Sequence, residues 1–185
     1  MARLNSPSEL EDLRQEILAN RDPNKPCIAI CSGTGCHAYG SEKVNTAFQD
    51  EIRKQGLEGE IDIRRTGCHG FCERGTLVVI YPGEICYTNV PPEDAAEIVQ
   101  SVKENKVVDR LLYTNPTTGE KIAEESEIPF YKNQSRIVFG ANRWIDPKSI
   151  EDYLALGGYS APSKALFQMS PEQVLEEIKK ANLRG

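Results

Sequence analysis

Apolar residues recur at helical spacing between Ser6 and Arg21, where Leu10, Leu13, Ile17 and Leu18 share one face. Ser6 and Glu9 form a capping-box pattern at the start, so the spacing predicts a helix that opens the chain. The period then shortens. Cys27 to Cys31 reads as a brief apolar strand, and Ser41 to Gln55 reads as a helix with Val44, Phe48 and Ile52 on one side and Gly56 as its stop. In Glu60 to Arg65, Ile61 and Ile63 alternate with charged neighbours, the pattern of a half-buried strand. Leu77 to Tyr81 and Glu84 to Thr88 flank Pro82-Gly83, which predicts an antiparallel hairpin. Behind Pro91-Pro92, a stripe of Ala95, Ile98, Val99 and Val102 predicts a helix from Glu93 to about Lys103. We read this as a βαββα order, an α/β fold with a small sheet flanked by helices.

Beyond Val108 the pattern changes. Thr114-Asn115-Pro116-Thr117-Thr118-Gly119 is turn chemistry and Glu124-Glu125-Ser126-Glu127 is acidic, so residues 109–135 are expected to be a solvated linker. After it, Asp146 is placed to cap a helix that begins at Pro147 and ends at Gly157. A second helix is expected from about Ala161 to Phe167. A third starts at Ser170-Pro171-Glu172-Gln173, a capping box over Val174, Leu175, Ile178 and Ala181. All three are short for a core of their own, and Trp144, Tyr153 and Tyr159 are expected to be left exposed or poorly ordered. The expected organisation is residues 1–108 as the α/β domain, 109–135 as the linker and 136–185 as a helical segment.

Composition narrows the functional classes. With 185 residues, 39% hydrophobic and 27% charged, the chain has the makeup of an ordinary soluble globular protein. The net charge of −6 and the lack of a basic run argue against nucleic-acid binding. Thr76-Leu77-Val78-Val79-Ile80-Tyr81, the densest apolar stretch, is far too short to cross a bilayer. Met1-Ala2-Arg3-Leu4-Asn5 has no apolar signal core, so a secreted disulfide framework is not expected and a cytoplasmic location is.

The cysteines carry the chemistry. Cys31 and Cys36 form a C-x4-C pair, Cys68 and Cys72 a C-x3-C pair, and each pair follows a strand. Two loops that each offer two thiolates suit a binuclear iron-sulfur cluster, which takes two thiolates per iron. Glycines inside both pairs let backbone N–H groups turn inward, and Arg64, Arg65 and Arg74 stand nearby in sequence, where cations ease the reduction of an anionic cluster. Four thiolates also complete a structural zinc shell, although these spacings are looser than the commonest zinc pairs. No two cysteines have the C-x-x-C spacing of a thioredoxin-type redox pair. His37 and His69 each follow a cluster cysteine. Because four thiolates already fill the site, a supporting role or solvent exposure is expected for both rather than ligation. Cys27 and Cys86 sit in apolar segments, where a cysteine outside the metal site behaves as a small buried hydrophobe.

Cys31-Ser32-Gly33-Thr34-Gly35-Cys36 and Thr66-Gly67-Cys68-His69-Gly70-Phe71-Cys72, with the hairpin and helix after them, resemble the thioredoxin-like 2Fe-2S ferredoxin domain. The resemblance covers roughly residues 1–105. It implies that Cys31, Cys36, Cys68 and Cys72 bind one 2Fe-2S cluster at the edge of a thioredoxin-like sheet.

The rest of the chain has a second likeness. Ile145-Asp146-Pro147, Gly157-Gly158-Tyr159, Lys164-Ala165-Leu166, Met169-Ser170-Pro171-Glu172 and Leu183-Arg184-Gly185 resemble the start of the flavin-carrying, NADH-binding subunit of respiratory complex I. The likeness is closer to its relatives in NAD(P)-linked and electron-bifurcating hydrogenases, in which a 2Fe-2S domain precedes the flavin domain. At Ala141-Asn142-Arg143-Trp144 this chain departs from the cysteine and glycine of many relatives. In that family FMN, NAD(P) and a further iron-sulfur cluster bind beyond the Leu183-Arg184-Gly185 position. The chain is therefore expected to be the N-terminal part of a larger oxidoreductase subunit, without NADH oxidation of its own, partnered by other subunits of an NADH dehydrogenase or hydrogenase complex. Electron transfer through one cluster is the function this implies, and a zinc-bound or metal-free assembly module of the same complex is the alternative. A sensor that signals by losing its cluster would use the same residues.

Overall fold

The computed structural model describes residues 3–182 and Arg184, so Met1, Ala2, Leu183 and Gly185, which the sequence reading had drawn on, lie outside the described residues. The chain divides into two units. One is Asp22–Lys148; the other combines the described residues of Met1–Arg21 and Ser149–Gly185.

In the second of these, α1 (Pro7–Ala19) begins at Ser6, whose side chain accepts from the Glu9 N–H. The reciprocal carboxylate bond of a capping box goes one residue further back, with Glu9 accepting from the Asn5 N–H at 2.7 Å.

The larger unit starts with β1 (Cys27–Cys31), the short helix α2 (Thr34–Ala38) and α3 (Ser41–Gln55), which ends on Gly56 in the left-handed region at φ 67°. Next come β2 (Asp62–Thr66) and the hairpin β3 (Val78–Tyr81) and β4 (Ile85–Tyr87). A 3-10 turn at Pro92–Asp94 leads into α4 (Ala95–Lys103). The sheet order is β2-β1-β3-β4, with β1 parallel to β2 and the other pairs antiparallel. Both arms of the predicted hairpin join the sheet, which holds four strands.

The centre of the sheet is buried on both faces. Along β1 the side chains alternate: Ile28 and Ile30 pack with Val44, Phe48, Ile52, Ile98 and Val99 of α3 and α4, whereas Cys27, Ala29 and Cys31 face a second core with Val79, Cys86, Tyr113, Ile128 and Tyr131. That second core corrects the linker reading of 109–135. Tyr113, Ile128 and Tyr131 are buried there and Glu125 is wholly enclosed. The same stretch borders β4, where the Cys86 N–H donates to Ala123 O at 2.8 Å and the Thr88 N–H to Leu111 O at 2.9 Å. It contains a small hairpin of β5 (Tyr113–Thr114) and β6 (Lys121–Ile122) and the one-turn helix α5 (Pro129–Lys132). An all-apolar strand needs cover on both sides, and this stretch supplies the second side.

In the other unit, α6 (Ile150–Ala155) starts three residues later than expected. Ser149 caps it by accepting from the Asp152 N–H, while Asp146 Oδ1 accepts from the Lys148 N–H instead. Gly157 adopts φ 86° past its end, and Gly158 passes so close to Tyr153 that an added Cβ would lie 2.3 Å from the ring. α7 (Ser160–Gln168) and α8 (Pro171–Ala181) follow, the latter with the full Ser170/Gln173 capping box. Arg21 binds Asp152 at 2.6 Å within this unit. Tyr153, Tyr159, Leu175 and Ile178 remain exposed, whereas Trp144, in the larger unit, packs on the Tyr81 ring at 4.8 Å.

Candidate metal centre

The parallel pairing of β1 with β2 puts Cys31 opposite Thr66, so the segments that follow these two residues leave the sheet at the same end. Two contacts tie them at the base: the Ser32 N–H donates to Thr66 O at 2.9 Å and the Cys31 N–H to Leu77 O at 3.0 Å. Cys31 is the last residue of β1. Cys36 lies within α2 rather than in an open loop, and both are buried. Cys68 is half-buried and Cys72 exposed, at the start of a 3-10 turn. The centre thus has a buried pair and an outer pair.

Glycines let the loops meet. A Cβ on Gly33 would lie 2.8 Å from Cys68 Cβ, one on Gly35 2.8 Å from Cys72 Sγ, and one on Gly75 3.0 Å from Cys36 Sγ. Their work is close approach. The N–H donors to sulfur come from elsewhere: Gly70 donates to Cys68 Sγ at 3.3 Å, the His69 N–H reaches Cys31 and the Leu77 N–H reaches Cys36.

The thiols interact within and across pairs. The Cys31 thiol donates to Cys36, which with burial pushes Cys31 up, while accepting that bond holds Cys36 below the ordinary thiol value. Cys72 is raised by lost hydration and by its neighbour Cys68, to which it donates. Cys36 also feels Cys68 and Cys72, and Cys72 feels Cys31, so all four sulfurs share one electrostatic environment. Among the described residues no group of three or more His, Cys, Asp or Glu side chains surrounds a single-ion site. The sulfurs gather as two pairs, Cys31 with Cys36 and Cys68 with Cys72. Four soft donors from two glycine-relieved loops fit a binuclear cluster with two thiolates per iron.

The histidines part ways. His37 is exposed. His69 is wholly buried, its Nε2 2.9 Å from Thr66 Oγ1 and its Nδ1 2.7 Å from Glu125 Oε1, while Glu125 Oε2 accepts from Arg143 Nη1 at 3.0 Å. Burial alone would raise the Glu125 carboxyl, but the hydrogen bond to His69 and the Arg143 guanidinium outweigh it and hold the group below the ordinary carboxylate value. Sequence reasoning missed Glu125, Arg143 and Thr66. The first lies in an acidic run that reads as solvated, 56 positions from its partner histidine.

Phe71, between Cys68 and Cys72, stacks on Phe130 at 4.3 Å and meets Tyr131 edge-on at 5.8 Å. The arginines near the cysteines in sequence have other engagements. Arg64 donates to Trp144 O at 3.0 Å, Arg65 pairs with Glu42, and Arg74 lies 3.5 Å from Glu73. Cys27 and Cys86 are buried in the second core, and burial pushes the Cys86 thiol well up.

Residues 17–103 match the thioredoxin-like 2Fe-2S ferredoxin family. A 2Fe-2S ferredoxin of Clostridium pasteurianum is 39% identical over 77 residues, 41% of this chain and 76% of the relative. The NADP-reducing hydrogenase subunit HndC of Solidesulfovibrio fructosivorans is 44% identical over 54 residues, 29% of this chain and 11% of the relative. Among solved structures, the wild-type thioredoxin-like 2Fe-2S ferredoxin of Aquifex aeolicus aligns with TM-score 0.44 and 31% identity, covering 49% of this chain and 97% of that one. Among the described residues no helix is long and apolar enough to cross a membrane.

Proposed function

This chain belongs to the thioredoxin-like 2Fe-2S ferredoxin family, and on that footing we propose that Cys31, Cys36, Cys68 and Cys72 hold one 2Fe-2S cluster through which the protein passes single electrons. The observation that supports the ligand set is the crossing of two loops so tight that Gly33 and Gly35 leave no room for a Cβ beside Cys68 and Cys72. When bound, the cluster supplies one-electron chemistry. The chain's own residues place and tune it. The N–H groups of His69, Gly70 and Leu77 donate to sulfur and favour the more negative, reduced form. Cys31 and Cys36 lie on the dry side, and the outer pair, Cys68 and Cys72, gives the route by which electrons enter or leave.

The setting we propose is a cytoplasmic, multi-subunit NAD(P)H dehydrogenase or hydrogenase, in which this chain forms the N-terminal part of a flavin-containing subunit. Its neighbours are the FMN and NAD(P) sites and a further iron-sulfur cluster of that subunit, and the other subunits of the complex. The likeness of HndC, by its name a subunit of an NADP-reducing hydrogenase, supports this setting, as do the motifs around Ile145-Asp146-Pro147 and Gly157-Gly158-Tyr159.

Purified protein tests the centre directly. The expected result is a brown protein with about two irons per chain, the content of a 2Fe-2S cluster, and an EPR signal after one-electron reduction. Replacing any one of Cys31, Cys36, Cys68 or Cys72 by Ser should abolish or sharply destabilise the centre, whereas Cys27→Ser and Cys86→Ser should keep iron. A colourless protein with stoichiometric zinc, or equal loss from all six variants, would refute the reading.

A further inference from the structure

The polar core beside the centre joins Thr66 and His69 to two residues that the family match does not reach. Glu125 and Arg143 both lie beyond residues 17–103. A carboxylate with no solvent exposure is costly to maintain unless charge and hydrogen bonds compensate it. Here both oxygens are engaged, one by His69 and the other by Arg143. The far side of the His69 ring is fixed as well, because Thr66 Oγ1 contacts Nε2 and itself donates to Ile30 O at 3.2 Å, on the strand that carries Cys31. His69 directly follows the ligand Cys68, and its backbone N–H points at Cys31. A change at Glu125 therefore reaches both cysteine pairs through one side chain. Arg143 is itself steadied by Trp144, over whose ring its guanidinium lies at 4.6 Å.

We propose that the buried Glu125 and the half-buried Arg143 form a charge pair that positions the Cys68–Cys72 loop through His69 and sets the reduction potential of the centre. The inference rests on the cluster reading and deepens it. Electron uptake adds negative charge to a site that already carries four thiolates, so a fixed carboxylate nearby opposes reduction and a fixed guanidinium favours it. The pair holds these opposing influences in balance. Removing either member should tilt the potential, each in its own direction.

The test is a comparison of Glu125→Gln and Arg143→Gln in the purified, cluster-loaded protein, read by the midpoint potential and the EPR line shape. Glu125→Gln should raise the potential and Arg143→Gln lower it, each by about tenfold in the electron-binding constant, or ~59 mV for a one-electron couple. Glu125→Asp, which keeps the charge, should return most of the shift. If Glu125→Gln does not fold, Arg143→Gln decides alone: a fall in potential supports the proposal and any other result overturns it. Potentials equal to wild type in both variants overturn the charge pair while leaving the cluster reading intact. Shifts in the same direction, or loss of the centre from both variants, also overturn it, since the pair would then only brace the fold. A wild-type protein without iron overturns the cluster reading itself.

Discussion

Gly33→Ala isolates the steric requirement of the centre. Gly33 sits at φ −63° and ψ 159°, a conformation alanine adopts freely, so backbone strain plays no part in the substitution. The new methyl would lie 2.8 Å from Cys68 Cβ and 3.1 Å from both Cys68 Cα and Cys68 Sγ. One of these neighbours is backbone and cannot rotate aside, and the closest contact is about 0.6 Å shorter than ordinary van der Waals separation. The second loop must therefore retreat from the first, carrying Cys68 with it. Overpacking of this kind costs about 1–3 kcal/mol, which corresponds to on the order of a ten- to hundredfold loss in cluster retention if the strain falls on the loaded state. The measurement is iron and sulfide per chain after anaerobic reconstitution, followed by the rate of bleaching under a chelator. Gly140→Ala is the control, because its added Cβ meets only Arg136 Cβ, at an ordinary 3.7 Å. Wild-type iron content together with an unchanged bleaching rate for Gly33→Ala would refute the close-approach argument.

Two further outcomes follow from the packing. Phe71→Leu removes a ring that meets Phe130, Tyr131 and Tyr113, so it should destabilise the fold by about 1–3 kcal/mol and speed cluster loss; a thermal midpoint and bleaching rate equal to wild type would contradict it. Glu125 titrates below its ordinary value of 4.5 in the folded chain, so its contribution is complete above about pH 4.5 and is lost as pH falls through the lower folded value. Thermal midpoints of wild type and Glu125→Gln should differ at pH 7, where breaking a buried pair costs about 3–5 kcal/mol, and converge on acidification; parallel curves would refute this.

Much of the sheet was legible because its signals are local. Gly56 ended α3 where the periodicity did, the hairpin formed around Pro82-Gly83, and the Ser170/Gln173 box opened α8. The meeting of the two cysteine loops was also foreseeable, since both follow strands and those strands prove to be parallel neighbours. What escaped was non-local. Residues 109–135 carry turn and acidic chemistry, so they read as solvated, yet Ile128 and Tyr131 complete the second core. The sign was in β1 all along: Cys27-Ile28-Ala29-Ile30-Cys31 has no polar face and needs cover on both sides, of which α3 and α4 supply one. The His69–Glu125 pair left no such sign, because nothing in the neighbourhood of either residue specifies the other. Asp146 was expected to cap the helix, but it closes its own turn, and Ser149, three positions later, caps α6 instead.

The cover over the second face has a practical consequence for anyone wishing to transplant this electron carrier into another protein. A cassette trimmed where the family match stops would lay bare Ala29, Val79 and Cys86, strip Phe71 of its stacking partners and leave His69 without its carboxylate. The compact unit that keeps the cover runs from Asp22 to Lys148. Expressed side by side, residues 22–148 should stay in solution and hold colour, whereas residues 22–108 should precipitate; a clear, brown preparation of the shorter piece would show that the cover is dispensable.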